Sequence, residues 1–234
     1  MIPSPASRIL AIAFLGGIPL FFSLLVVFGP LFFKKRIGRG YSFFSDFPFE
    51  LFDGAEQTGK GLTRFFGGAF LLLDFATVLL LINAFSFYPH GVLYLALLAA
   101  FFHIARVMFL FFLFLLPARY NKPHVKAVAL YFVSALLSTV GEGIFLIRYS
   151  AGRGGPLTMA FLLIAMGLTY GFLMANPRFS SWAKMNSEQD DHGEVIVKRP
   201  RFFLLAYSEW LAVLLDFLSA LFLDLGFLLL YLSA

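Results

Sequence analysis

The sequence predicts an all-α integral membrane helix bundle of six transmembrane helices, with both termini on the non-cytoplasmic side. Three observations lead there. First, of 234 residues 60% are hydrophobic and only 13% charged, against about 25% charged in an ordinary soluble domain. The chain lacks the polar residues to cover a water-facing surface, so its apolar residues must face lipid. Second, six segments are apolar over the roughly 20 residues that a bilayer crossing needs. Third, the basic residues alternate from loop to loop, as cytoplasmic retention of Lys and Arg requires.

The first span covers about 9–33 and contains Gly16, Gly17, Pro19 and Pro30. A signal peptide has an apolar run of only about 7–15 residues and a small-residue cleavage site, so this longer run reads as a retained helix. The second span is about 65–88. A tight turn at Tyr88-Pro89-His90-Gly91 leads into the third, about 91–117. The fourth is about 125–147, the fifth about 157–176 and the sixth about 203–232. The whole chain, 1–234, then forms a single transmembrane domain with cytoplasmic loops at 34–64, 118–124 and 177–202.

Orientation follows from the 18 Lys and Arg residues. Lys34, Lys35, Arg36, Arg39, Lys60 and Arg64 lie between spans one and two. Arg119, Lys122 and Lys126 lie between three and four. Arg178, Lys184, Lys198, Arg199 and Arg201 lie between five and six. The opposite side holds only Arg8, Arg148 and Arg153, and Arg106 falls inside a span. The basic loops are therefore cytoplasmic. The same distribution accounts for the net charge of +5 without nucleic acid, which is not an expected partner. The lipid bilayer is one, and other membrane subunits or further copies of the chain are candidates.

The loops carry their own expectations. Residues 41–53 interleave Phe43, Phe44, Phe47 and Leu51 with Asp46, Glu50 and Asp53, which suits an amphipathic stretch lying on the membrane and bent at Pro48. Residues 186–201 read as polar and mobile. Trp182 suits the interfacial aromatic belt.

Several chemistries are excluded. With no cysteine there is no thiolate metal site, iron–sulfur cluster or Cys nucleophile. The stretch Gly54–Gly61 approaches a phosphate-binding loop, but Gly61 stands where a hydroxyl should ligate magnesium. No metal site or cofactor is expected. A bis-histidine haem needs two facing intramembrane histidines, and only His103 lies within a span. The Leu-Leu-Asp-Phe run at 72–75 recurs at 214–217. In a chain this rich in Leu and Phe the echo reads as coincidence rather than as an internal repeat.

The informative residues are the ionisable groups inside the spans: Asp74, His103, Arg106, Glu142, Glu209, Asp216 and Asp224. A charge at a helix centre costs about 2.5–3.5 kcal/mol on insertion scales. Three acids in the sixth span would cost roughly 8–10 kcal/mol, against roughly 5–11 kcal/mol returned by its Leu, Phe and Val residues. That span is near break-even alone, so its acids must face other helices or water, or carry a proton. Glu209 and Asp216 are seven residues apart and share a face, about 10 Å apart along the axis. Asp224 is rotated by roughly 80° from that face. Arg106 calls for a carboxylate, Asp74 or Asp216. Ser134, Ser138 and Glu142 form a polar stripe on the fourth span, where Gly141 and Gly143 let another helix approach. Gly167 and Gly171 make a small-xxx-small packing face on the fifth.

These residues support a small transporter or channel for protons, cations or a small cationic solute. Asp216 would be its central carboxylate, Glu209 its cytoplasmic entry, and Asp224 with Glu142 its outer exit. A non-catalytic membrane subunit or assembly factor is the alternative, in which the charges only pin helices together. A lipid- or isoprenoid-modifying enzyme with Asp216 and Glu142 as acid and base is a third reading, which nothing in the spacing selects.

Overall fold

The computed structural model describes residues 5–48, 50–53, 90–115, 121–150, 152–177, 186–189, 195–198 and 200–232, with isolated positions at 68–69, 72, 181 and 184. The described chain is helical: α1 (Pro5–Ile37), the single turn α2 (Glu50–Asp53), α3 (His90–Leu115), α4 (Asn121–Ser150), α5 (Gly154–Met174) and α6 (Leu204–Leu232). Two short strands, β1 (Asn186–Gln189) and β2 (Val195–Lys198), pair antiparallel between α5 and α6. The five helices α1, α3, α4, α5 and α6 are each long and apolar enough to cross a membrane. By length and composition the chain is thus a multi-pass membrane-embedded bundle. Of the six expected spans, the second, about 65–88, lies outside the described residues apart from positions 68–69 and 72.

Helix ends follow local chemistry. α1 stops at Ile37 because Gly38 adopts φ +78° and its N–H bonds back to the Lys34 carbonyl at 3.0 Å. A side chain would resist that left-handed conformation. Pro123 falls in the first turn of α4, where its missing N–H has no helical partner to lose. Gly152, at φ +84°, turns the chain from α4 into α5.

Neighbouring helices alternate in direction. Ala99 of α3 faces Gly141 of α4, and Arg106 faces Ser138, so these two run antiparallel. Gly143 meets Ala160 and Ile164 of α5, while Gly167 meets Thr139 and Val140. Gly155 and Gly226 pair with Leu229 and Met159 across α5 and α6. Phe22 stacks on Phe217 at 4.4 Å and Ile18 packs with Ala220, so α1 is antiparallel to α6. Hence α4 and α6 run one way, and α1, α3 and α5 the other. The apolar stretch of α4 is 56% buried and that of α1 only 17%, which puts α4 at the centre and α1 at the rim. The outer face of α1 presents Ile9, Ile12, Leu20, Val27, Phe28 and Leu31.

Two loop expectations change. In the stretch 41–53 the apolar side chains do not all turn outward: Phe44 is 54% exposed, but Phe47 and Leu51 are 0% exposed and pack into the main core with Leu25, Val128 and Phe203. The reason is polar. The Asp46 carboxylate takes both terminal nitrogens of Arg39 at 2.8 Å and the Ser42 N–H at 2.8 Å. Trp210 Nε1–H then donates to the Tyr41 hydroxyl at 2.9 Å, so the segment is folded on itself and fastened to α6. The stretch expected to be mobile at 186–201 contains the β hairpin, favoured by the β-branched run Val195-Ile196-Val197. Trp182 lies outside the described residues.

Candidate buried ionic network

The site grows from two matched spacings. On α4, His124, Tyr131 and Ser138 recur every seven residues; on α6, Glu209 and Asp216 do the same. Seven residues bring a helix back to within about 20° of the same face, about 10 Å further along. Because α4 and α6 run parallel, the positions meet in register. His124 pairs with Glu209 and Tyr131 with Asp216, each pair 85 residues apart in sequence. α3 adds His103 and Arg106, one turn apart on a single face.

The central cluster lies where these faces converge. Arg106 Nε is 3.0 Å from Asp216 Oδ1, and neither side chain is exposed. Arg106 Nη1 donates to Ser138 Oγ and to Ser219 Oγ, both at 3.2 Å. Ser138 passes the contact on, its hydroxyl donating to Glu142 Oε1 at 2.8 Å. Glu142 Oε1 also shares a 2.6 Å hydrogen bond with His103 Nδ1, while Oε2 is 4.0 Å from Arg106. On the other side the Tyr131 hydroxyl donates to Asp216 Oδ1 at 3.0 Å and lies 3.2 Å from the Tyr170 hydroxyl. Tyr170 in turn donates to the Ala212 carbonyl at 3.2 Å. One run of hydrogen bonds and an ion pair thus joins α5, α6, α3 and α4 through buried side chains.

Its charges do not cancel by themselves. Arg106 is always protonated, so with Asp216 and Glu142 both ionised the described residues of the cluster carry one excess negative charge. In an apolar interior that excess is expensive. A proton on the His103–Glu142 pair, or a bound cation, brings the sum to zero.

A second polar node sits one heptad away. His124 Nε2 and Glu209 Oε1 share a 2.5 Å hydrogen bond, with the histidine 1% and the glutamate 3% exposed. The Phe47 ring covers the His124 ring edge-on at 5.6 Å. Just below, outside the apolar spans, Tyr41 is held protonated well above the ordinary phenol range, chiefly by burial. Asp46 pushes the already high pKa of Arg39 further up through their hydrogen bonds.

The residues singled out by sequence distribute as follows. His103, Arg106, Glu142 and Asp216 meet in the central cluster, with Asp216, one of the two carboxylates expected for Arg106, beside it. Glu209 is in the second node. Asp224 is 0% exposed on α6, about 12 Å beyond Asp216. Asp74 lies outside the described residues. Ser134 turns back on its own helix, donating to the Leu130 or Tyr131 carbonyl at 2.9 Å. Gly167 and Gly171 lie against Thr139, Val140 and Leu136 of α4. Sequence reading missed His124, Tyr131, Tyr170 and Ser219. The matched seven-residue spacings were the signal for the first two.

No protein-family model matches the chain, and neither does any curated protein or solved structure.

Proposed function

We propose that the chain is a six-span membrane transporter or channel that moves protons or a small cation, with Glu142 and His103 as the exchanging site. The observation that carries this reading is the excess of acid over fixed positive charge among the described residues of the cluster. Among the described residues two fully buried carboxylates share one guanidinium, and an ionisable cluster at membrane depth points to a functional site rather than to simple packing. Asp216 is held by Arg106 and Tyr131. That leaves Glu142, bonded to a histidine, as the carboxylate that exchanges its proton or cation. His124 and Glu209 serve as the second node toward the lysine-rich end, with water bridging the intervening heptad.

The sixth crossing is supported by direction. α1 and α3 run the same way through the bundle, so the chain between Asp53 and His90 must return from one end to the other. The apolar stretch 65–88 is the part of that connection with the length and composition to do so. Six crossings put both termini at the same end, away from Lys34, Lys35, Lys122 and Lys184.

The reading is tested by reconstituting the purified protein in liposomes and imposing a pH gradient. Proton flux in the wild type that vanishes in Glu142→Gln supports it. Absence of flux for protons and small monovalent cations in the wild type contradicts it. A second reading, a non-catalytic subunit, is favoured by the broad unpacked apolar face of α1. Recovery only within a large stoichiometric particle after gentle solubilisation would select it.

A further inference from the structure

We propose that the segment 41–51 is a closed gate over the His124–Glu209 pair, and that this pair is the cytoplasmic port of the network. The inference rests on the transport reading above for the word port. The gate itself rests on geometry alone.

Phe47 is the stopper. Its ring stands edge-on to His124 at 5.6 Å and edge-on to Phe203 at 5.4 Å, and none of it is exposed. Leu51 wedges the segment against α1 at Gly29, where an added methyl would overlap the leucine side chain.

The clasp is built into the same helical turn as the port. Trp210 directly follows Glu209, and its indole N–H reaches both the Tyr41 hydroxyl at 2.9 Å and the Asp46 carbonyl at 3.1 Å. Tyr41 closes the loop by donating to the Phe47 carbonyl at 2.7 Å. A displacement of α6 at Glu209 therefore pulls directly on the residues that hold Phe47 in place. A main-chain tie joins the segment to the residue just before α6, Phe203 N–H to the Phe44 carbonyl at 2.8 Å.

The hinge and the latch lie on the water side. Gly38, at φ +78°, and Gly40 flank Arg39, and an added methyl at either would meet open space. The latch is the two-pronged Arg39–Asp46 contact, with Arg39 54% exposed and Asp46 2%. Of the described ionisable groups, Tyr41 lies within electrostatic reach of Glu209, Asp46 and Glu50, while Lys122 and Lys126, two residues either side of His124, are exposed on the opposite face of α4. Opened, the port receives a proton from water on the lysine-rich side; closed, it is sealed by aromatic carbon.

The absence of cysteine gives a clean test. His124→Cys places the sole thiol under Phe47, in the full chain in liposomes. A membrane-impermeant maleimide is applied to each face in turn. Labelling should be slow in His124→Cys alone and about tenfold faster once Phe47→Ala is added, from the lysine-rich face only. Adding Arg39→Gln instead frees the latch without touching the core and should act in the same direction, which covers the case of a Phe47→Ala protein that does not fold. Unchanged labelling with Arg39→Gln and Phe47→Ala, or equal acceleration from both faces, overturns the gate. Lack of proton flux in the unmodified wild type would instead remove the transport reading while the labelling result stands.

Discussion

Arg106 on α3 and Asp216 on α6 lie 3.0 Å apart with no exposed surface on either side chain, although the helices that carry them are not close neighbours along their backbones. The long arginine side chain bridges a gap that packing alone leaves open. Ser138 and Ser219 line its path.

That pair makes a stability prediction. Removing one partner strands the other in an apolar interior, so Arg106→Met should destabilise by about 3–5 kcal/mol. Replacing both, as Arg106→Met with Asp216→Leu, should recover most of the loss, because well-packed apolar substitutes for a buried pair are often neutral or better. Unfolding midpoints in mild detergent across the double-mutant cycle measure this. Additive losses would show that the two residues act separately.

Glycine contacts give a second prediction with its own control. A methyl at Gly167 would come within 2.6 Å of Thr139 Oγ1 and Val140 Cγ2 and 3.3 Å of the Leu136 carbonyl. Gly167→Ala should push α5 off α4 and cost about 1–3 kcal/mol. At Gly16 an added methyl meets nothing within 4 Å, so Gly16→Ala should be neutral or gain up to about 1 kcal/mol from helix propensity. Thermal unfolding of the two variants side by side checks both signs.

The docked segment should respond to alkaline pH. Burial raises the Tyr41 pKa above its ordinary value of 10.0. Below that value the phenol is neutral whether the segment is docked or released. Above it the released phenol ionises and the docked one does not, so docking weakens as pH rises. Trp210 fluorescence, read in a Trp182→Phe background, should shift toward a water-exposed spectrum above about pH 10. Tyr41→Phe should flatten that dependence. A shift that persists in Tyr41→Phe would assign it to another group.

The five described long helices were legible because lipid leaves so little freedom. Runs such as Leu204–Leu232 admit few structures other than a span, and the ends differ from expectation by only a few residues. The contact of Arg106 was half legible: its need for a carboxylate follows from charge, but that Asp216 comes within 3.0 Å depends on how α3 and α6 approach each other. The segment 41–53 was misread because its alternation of Phe with acids fits two surfaces equally well. Periodicity cannot tell a lipid interface from the end of the bundle, and Trp210, which decides the matter, is nearly 170 residues away. His124 was overlooked because it sits just past a loop, where a histidine passes for an ordinary surface residue. Its meaning came from Glu209, one pair in a heptad register that sequence shows only when α4 and α6 are read together.

The central claim is that Glu142, with His103, binds the charge that makes the network neutral and passes it on. Proton flux under an imposed gradient, in liposomes of equal protein content, compares wild type with Glu142→Gln and Glu142→Asp. The predicted result is flux in the wild type, a loss of about tenfold or more in Glu142→Gln with an unchanged unfolding midpoint, and partial return in Glu142→Asp, which keeps the carboxyl group. Wild-type flux in Glu142→Gln would contradict the account.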